Sequence, residues 1–130
     1  MASRQEMSGE DLLDAATLET LAQLGERRGR DLLGQLADLF SEQGPKSFAT
    51  MRQAVAAADL KVVRETAHSL KGSYRSLGTV RLADLSAELE GLGRSGVLDG
   101  VEALLDDLEA SFAATEVALR AFIERRKNAS

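Results

Sequence analysis

The stretch Val63-Arg64-Glu65-Thr66-Ala67-His68-Ser69-Leu70-Lys71-Gly72-Ser73-Tyr74-Arg75-Ser76-Leu77 shows two faces when wound as a helix. Positions three, four and seven apart share a side. Val63, Ala67, Leu70, Tyr74 and Leu77 therefore form an apolar side. Lys61, Arg64, Glu65, His68, Lys71, Gly72 and Arg75 fall opposite, with His68 about 160° from Leu70. Such a helix must bury one stripe against other helices and show the other to solvent.

The same reading extends outward from this segment. Asp59 is placed to cap its start, and Gly78 to close it in a left-handed turn. Thr79 is then the expected cap of a helix from Val80 to about Leu92, with Leu82, Leu85, Leu89 and Leu92 on one side. The glycines of the 91–96 segment predict a fray and turn. A last helix follows from about Asp99 to Arg126, with Leu104, Leu105, Leu108, Phe112, Val117, Leu119 and Phe122 as core candidates. Upstream, Leu32, Leu33, Leu36, Leu39 and Phe40, and then Phe48, Met51 and Val55, keep one phase across Gly44-Pro45. This predicts a single kinked helix from about Arg30 to Ala57. A short first helix carries Leu12, Leu13, Leu18, Leu21 and Leu24 and breaks at Gly25. The expected architecture is all-α: an antiparallel up-down four-helix bundle over residues 11–126 with a short N-terminal capping helix. Flexible tails are expected over residues 1–10 and 127–130.

Composition narrows the function. The chain has 130 residues, one histidine and no cysteine, which excludes disulfides and thiolate metal sites and means that a zinc cage would have to be built mainly from carboxylates. A net charge of −5 argues against nucleic acid as the main partner. No apolar stretch is long enough to span a membrane, and the polar start is unlike a secretory signal, so a cytoplasmic protein is expected.

His68 is the residue whose surroundings invite chemistry. Lys71, one turn on, would stabilise a phosphoryl group carried by the ring, although a solvated lysine is the ordinary alternative. Gly72 costs about 0.5–1 kcal/mol of helix propensity relative to alanine. Facing away from the core, it clears an approach to the ring. Arg64, Arg75 and Lys61 make a basic stripe, either a plain solvated face or a positive island for an acidic partner. Glu90, next to the core residue Leu89, can flank the seam and accept from Nδ1–H of His68, freeing Nε2 as nucleophile; an exposed glutamate is the alternative.

With these residues in place, the chain resembles the histidine-containing phosphotransfer (HPt) family of two-component phosphorelays. The resemblance rests on Ala67-His68-Ser69-Leu70-Lys71-Gly72-Ser73, Leu77-Gly78, Leu82, Leu85 and Leu89-Glu90, and extends from about Leu13 to Phe122. It implies that His68 is the phosphoacceptor on Nε2, that Lys71 assists the phosphoryl group, that Gly72 gives access and that Glu90 orients the imidazole. Tyr74, Arg75 and Ser86 depart from common family choices; Arg75, with Arg64 on the docking face, would narrow the choice of partner. The implied partners are receiver domains of a hybrid histidine kinase and of a response regulator, which supply the aspartate and Mg²⁺, so this chain would carry no cofactor. A monomeric phosphocarrier without a complete active site is expected. Two rival readings are an unphosphorylated helical scaffold that binds a receiver or kinase, and the phosphoacceptor domain of a chemotaxis-type kinase. No second catalytic group or phosphate-binding glycine loop favours a freestanding enzyme.

Overall fold

The computed structural model describes residues 9–129. Six helices follow one another: α1 (Gly9–Leu12), α2 (Ala15–Arg27), α3 (Leu32–Ala56), α4 (Leu60–Leu77), α5 (Val80–Ser95) and α6 (Val101–Asn128). Helices α3 to α6 form the antiparallel up-down four-helix bundle, and α1 and α2 close one of its ends. The expected N-terminal tail lies largely outside the described residues, although Gly9 and Glu10 already belong to α1. At the other terminus Lys127 and Asn128, expected in a tail, continue α6.

The anticipated single first helix is in fact two. Asp14 breaks it by turning its carboxylate onto the backbone N–H of Ala16 and the hydroxyl of Thr17, an N-cap that starts α2 afresh. Helix α2 also runs past Gly25, where the sequence suggested its end. Gly25 is buried, and a Cβ there would stand 2.7 Å from the Arg30 carbonyl oxygen. This glycine serves close packing, and the left-handed turn belongs to Gly29 (φ 66).

Helix α3 is continuous through Pro45, as its unbroken apolar phase required. Its inward side carries Phe40 and Phe48 onto Phe112 of α6, with ring centroids 4.6 and 5.2 Å apart. Gly44 is buried beneath the same Phe112 ring.

Asp59 caps α4 through the Val62 N–H, and Gly78 ends it at φ 77. The N–H of Thr79 reaches the Tyr74 carbonyl and that of Gly78 the Arg75 carbonyl, which is the Schellman arrangement. Thr79 was expected to cap α5 with its side chain. Its hydroxyl donates to the Tyr74 carbonyl instead, so it secures the end of α4. The Gly78 carbonyl accepts from the Asp14 N–H at 2.7 Å, which latches the α1–α2 junction onto the α4–α5 turn.

Two further expectations fail for packing reasons. The 91–96 segment is helical up to Ser95, and the left-handed stop is Gly96 (φ 73). Gly93 is buried, and a Cβ on it would lie 2.9–3.0 Å from Arg64 Cβ, Cα and N. Glycine thus trades helix propensity for a close α4–α5 approach. In α6, Val117 was counted with the core but is 71% exposed. The inward stripe there is Phe112, Thr115 and Leu119, and Val117 lies about 160° from Thr115.

Candidate functional site

Helix α4 divides as its sequence required. Val63, Ala67, Leu70, Tyr74 and Leu77 are all buried, while the His68 side chain is 69% exposed. Because Gly93 lets α5 press against the backbone of Arg64, the neighbouring turns of the two helices also meet, and Glu90 comes within reach of His68.

Glu90 is the hub. Its side chain is 6% exposed, yet three groups donate to it. Lys71 Nζ meets Oε1 at 2.5 Å. His68 Nδ1 meets Oε2 at 2.8 Å, and Arg94 Nη2 meets the same oxygen at 3.0 Å. The Lys71 hydrogen bond, joined by the hydrogen bond from His68 and the positive charge of Lys71, outweighs burial and holds the carboxyl well below its usual range, at about 2. Glu90 is therefore ionised near neutral pH and can only accept. Nδ1 is therefore the donor in that hydrogen bond, and Nε2 is the ring nitrogen left free of it on the exposed edge.

The remaining predicted residues are placed less uniformly. A Cβ on Gly72 would meet nothing within 4 Å, so the surface one turn beyond the imidazole is open. The Lys71 ammonium is tied to the same carboxylate that holds the ring, and its side chain is 20% exposed. Arg64 is half-buried against Gly93. Arg75 is exposed in the last turn of α4, about 10 Å along the axis from His68 and outside the Glu90 network. Tyr74 is buried with its edge toward Phe40, and burial pushes its phenol up. Ser86 is buried too.

Sequence reasoning missed Arg94 and the role of Gly93. The i, i+4 spacing of Glu90 and Arg94 was available as a signal. It was hidden because three glycines made the segment read as a turn.

On the other flank of α4 an open groove of about 800 Å³ runs along α2 and α3. Leu21, Leu36, Leu39 and Leu77 give it apolar walls, and Ser69, Gly72 and Ser73 form its rim beside the histidine helix. Leu39 is 52% exposed within it. A polar cleft with Lys46, Glu65, Thr66 and Ser69 lies further along the same seam. No group of three or more His, Cys, Asp or Glu among the described residues could hold a metal ion. None of the described helices is long and apolar enough to cross a membrane.

The sequence pattern of the Hpt domain matches residues 35–128, which contain this whole cluster. The chain belongs to the Hpt domain family. Among solved structures, this Hpt domain is similar to the histidine-containing phosphotransfer protein B (HptB) from Pseudomonas aeruginosa PAO1, with 30% identity and a TM-score of 0.78 over 87% of this chain and 95% of that one. It shares its fold with the histidine-containing phosphotransfer domain of ArcB from Escherichia coli, at 21% identity and a TM-score of 0.78 over 91% of this chain and 98% of that one. No curated protein gives a significant sequence match. Histidine phosphotransfer in two-component phosphorelays is the function that this membership assigns to the Hpt domain, and receiver domains are the kind of partner its family engages.

Proposed function

We propose that His68 is the phosphoacceptor of this Hpt domain and that it relays a phosphoryl group between aspartates of two receiver domains, one of a hybrid histidine kinase and one of a response regulator. The observation that carries the reading is the hydrogen bond from Nδ1 to the ionised Glu90 carboxylate, which orients the ring and leaves Nε2 as the nitrogen open to a partner.

In the forward step the Nε2 lone pair attacks the phosphorus of an aspartyl phosphate. The N–P bond forms as the bond from phosphorus to the aspartate oxygen breaks, and the aspartate leaves as a carboxylate. Nδ1 keeps its proton, the ring takes up the positive charge, and Glu90 opposite Nδ1–H stabilises it. The reverse sequence on the second receiver returns the ring to neutrality, so no proton has to be exchanged with solvent. The receiver holds the Mg²⁺ and the aspartate, and this chain contributes the nucleophile, its orientation and a docking face. Lys71 and Gly72 act in the same step, Lys71 by fixing Glu90 and bringing a positive charge near the phosphoryl group, and Gly72 by leaving the approach open. The apolar groove receives the partner's surface, and Arg64 and Arg75, on the histidine's own stripe of α4, face its charged margin. The domain works as a cytoplasmic monomeric carrier.

Incubation with a phosphorylated receiver domain should transfer an acid-labile, alkali-stable label to the parent chain and none to His68→Gln. Binding of the receiver without labelling of the parent chain, or equal labelling of His68→Gln, would overturn the proposal.

A further inference from the structure

The continuation of α5 to Ser95 places Arg94 one turn beyond Glu90, where its guanidinium donates to Oε2. This is the same oxygen that accepts from His68, while Lys71 occupies Oε1. A carboxylate facing an imidazole alone stabilises the imidazolium. It thereby draws a second proton onto the ring, which at His68 would settle on Nε2 and remove the lone pair. Here two cations face that one carboxylate, so the cluster keeps a surplus positive charge that opposes protonation of the ring.

Charges on every side of His68 agree with this balance. On α4 itself stand Arg64, Lys71 and Arg75, and Lys61 is paired with Glu65. From α5 come Glu90 and Arg94. From α3, Lys46 reaches only the cleft beside Ser69, and it is paired with Glu42. From α2, the groove beside Gly72 receives the uncharged Leu21. Glu90 is thus the one carboxylate in hydrogen-bond contact with the ring among the described residues, and Arg94 is the cation that shares its oxygen.

We propose that Arg94 is a positioning residue for His68: by taking part of Glu90 Oε2 it weakens the carboxylate's pull on a second ring proton, which favours Nε2 as a nucleophile. The proposal rests on His68 as the phosphoacceptor. Arg94 is 67% exposed, and the buried Glu90 keeps Lys71 and His68 as donors without it, so the solvent-screened guanidinium adds little to stability. Its effect therefore shows in the ring and not in the fold.

The chain contains a single histidine, so its ring resonances are unambiguous in NMR. The unphosphorylated full chain is titrated as the parent, Arg94→Ala and Arg94→Lys. The expected result is a midpoint for His68 raised by roughly half a pH unit in Arg94→Ala and largely restored in Arg94→Lys, with urea midpoints alike in all three. Phosphoramidate, used as a small phosphodonor, should label Arg94→Ala roughly two- to threefold more slowly below the midpoint, and at the parental rate well above it. An unchanged midpoint in Arg94→Ala, or a raised one that lysine does not restore, overturns the proposal. A labelling defect of equal size at every pH also overturns it. Absence of labelling in the parent chain would count against His68 as the acceptor, while the titration would still decide the role of Arg94.

Discussion

On the α5 side of His68 the molecule is closed and charged, and on the α3 side it is open and uncharged along most of its length. The α4–α5 seam is so tight that a Cβ on Gly93 would strike the Arg64 backbone. At this distance a buried carboxylate can gather an imidazole, an ammonium and a guanidinium. The α3–α4 seam instead splays into a groove walled by leucines. One seam orients the ring and the other leaves an open apolar surface. In the proposed function, reactivity and recognition fall on opposite sides of a single helix, and the variants below test whether each can be altered without the other.

The largest expected effect comes from forcing the closed seam apart. Gly93→Val should cost about 1–3 kcal/mol of stability in urea denaturation, because its side chain meets backbone that cannot rotate away. The same variant should lose the His68–Glu90 hydrogen bond, seen as a shifted Nδ1 resonance. A full-stability Gly93→Val with that resonance unmoved would show that the close approach does not position Glu90. Next is the open seam. Leu39→Asp puts a charge on an exposed groove wall and should weaken receiver binding about tenfold, or about 1.4 kcal/mol by calorimetry. Its urea midpoint and the His68 titration should both stay put. Loss of both binding and ring titration would mean that the two sides are not separable. The smallest effect belongs to the other interfacial glycine. Gly72→Ala should raise stability by about 0.5–1 kcal/mol, since its Cβ enters open space within a helix. Gly72→Gln should also keep its helicity, yet slow transfer from a receiver. Unhindered transfer in that variant would show that the opening at Gly72 is not the route to the ring.

The division of α4 was legible because it depends only on angular position, and the phase of Val63, Ala67, Leu70, Tyr74 and Leu77 leaves His68 one place to go. The path of α3 through Pro45 was legible for a related reason: an apolar stripe that keeps its phase outweighs one missing donor. Glycines were the residues that misled. Gly25 and Gly93 share a letter with Gly78 and Gly96, but the first pair sits in ordinary helix under a neighbouring backbone and the second pair turns at positive φ. Nothing local separates these uses, because the deciding atoms belong to Leu32 and Arg64, which stand on other elements. The misplaced end of α5 concealed Arg94, and Lys71 was read as a partner for the phosphoryl group, so of the hub's three donors only His68 was foreseen. Val117 was misjudged for a comparable reason. A run of small and apolar residues in α6 allows more than one stripe, and the buried slot went to Thr115, whose hydroxyl has no hydrogen-bond partner among the described residues.

The opening at Gly72 has one more consequence. In the proposed relay the imidazole offers one ring nitrogen, Nε2, to any partner that approaches over Gly72. A donor and an acceptor therefore cannot occupy the domain together, and every cycle must include a departure before the next arrival. Throughput is then limited by residence time: a receiver that held the groove too tightly would block the queue. Selection on such a surface would favour brief, moderate contacts over tight ones, with rapid encounter helped by the basic stripe of α4.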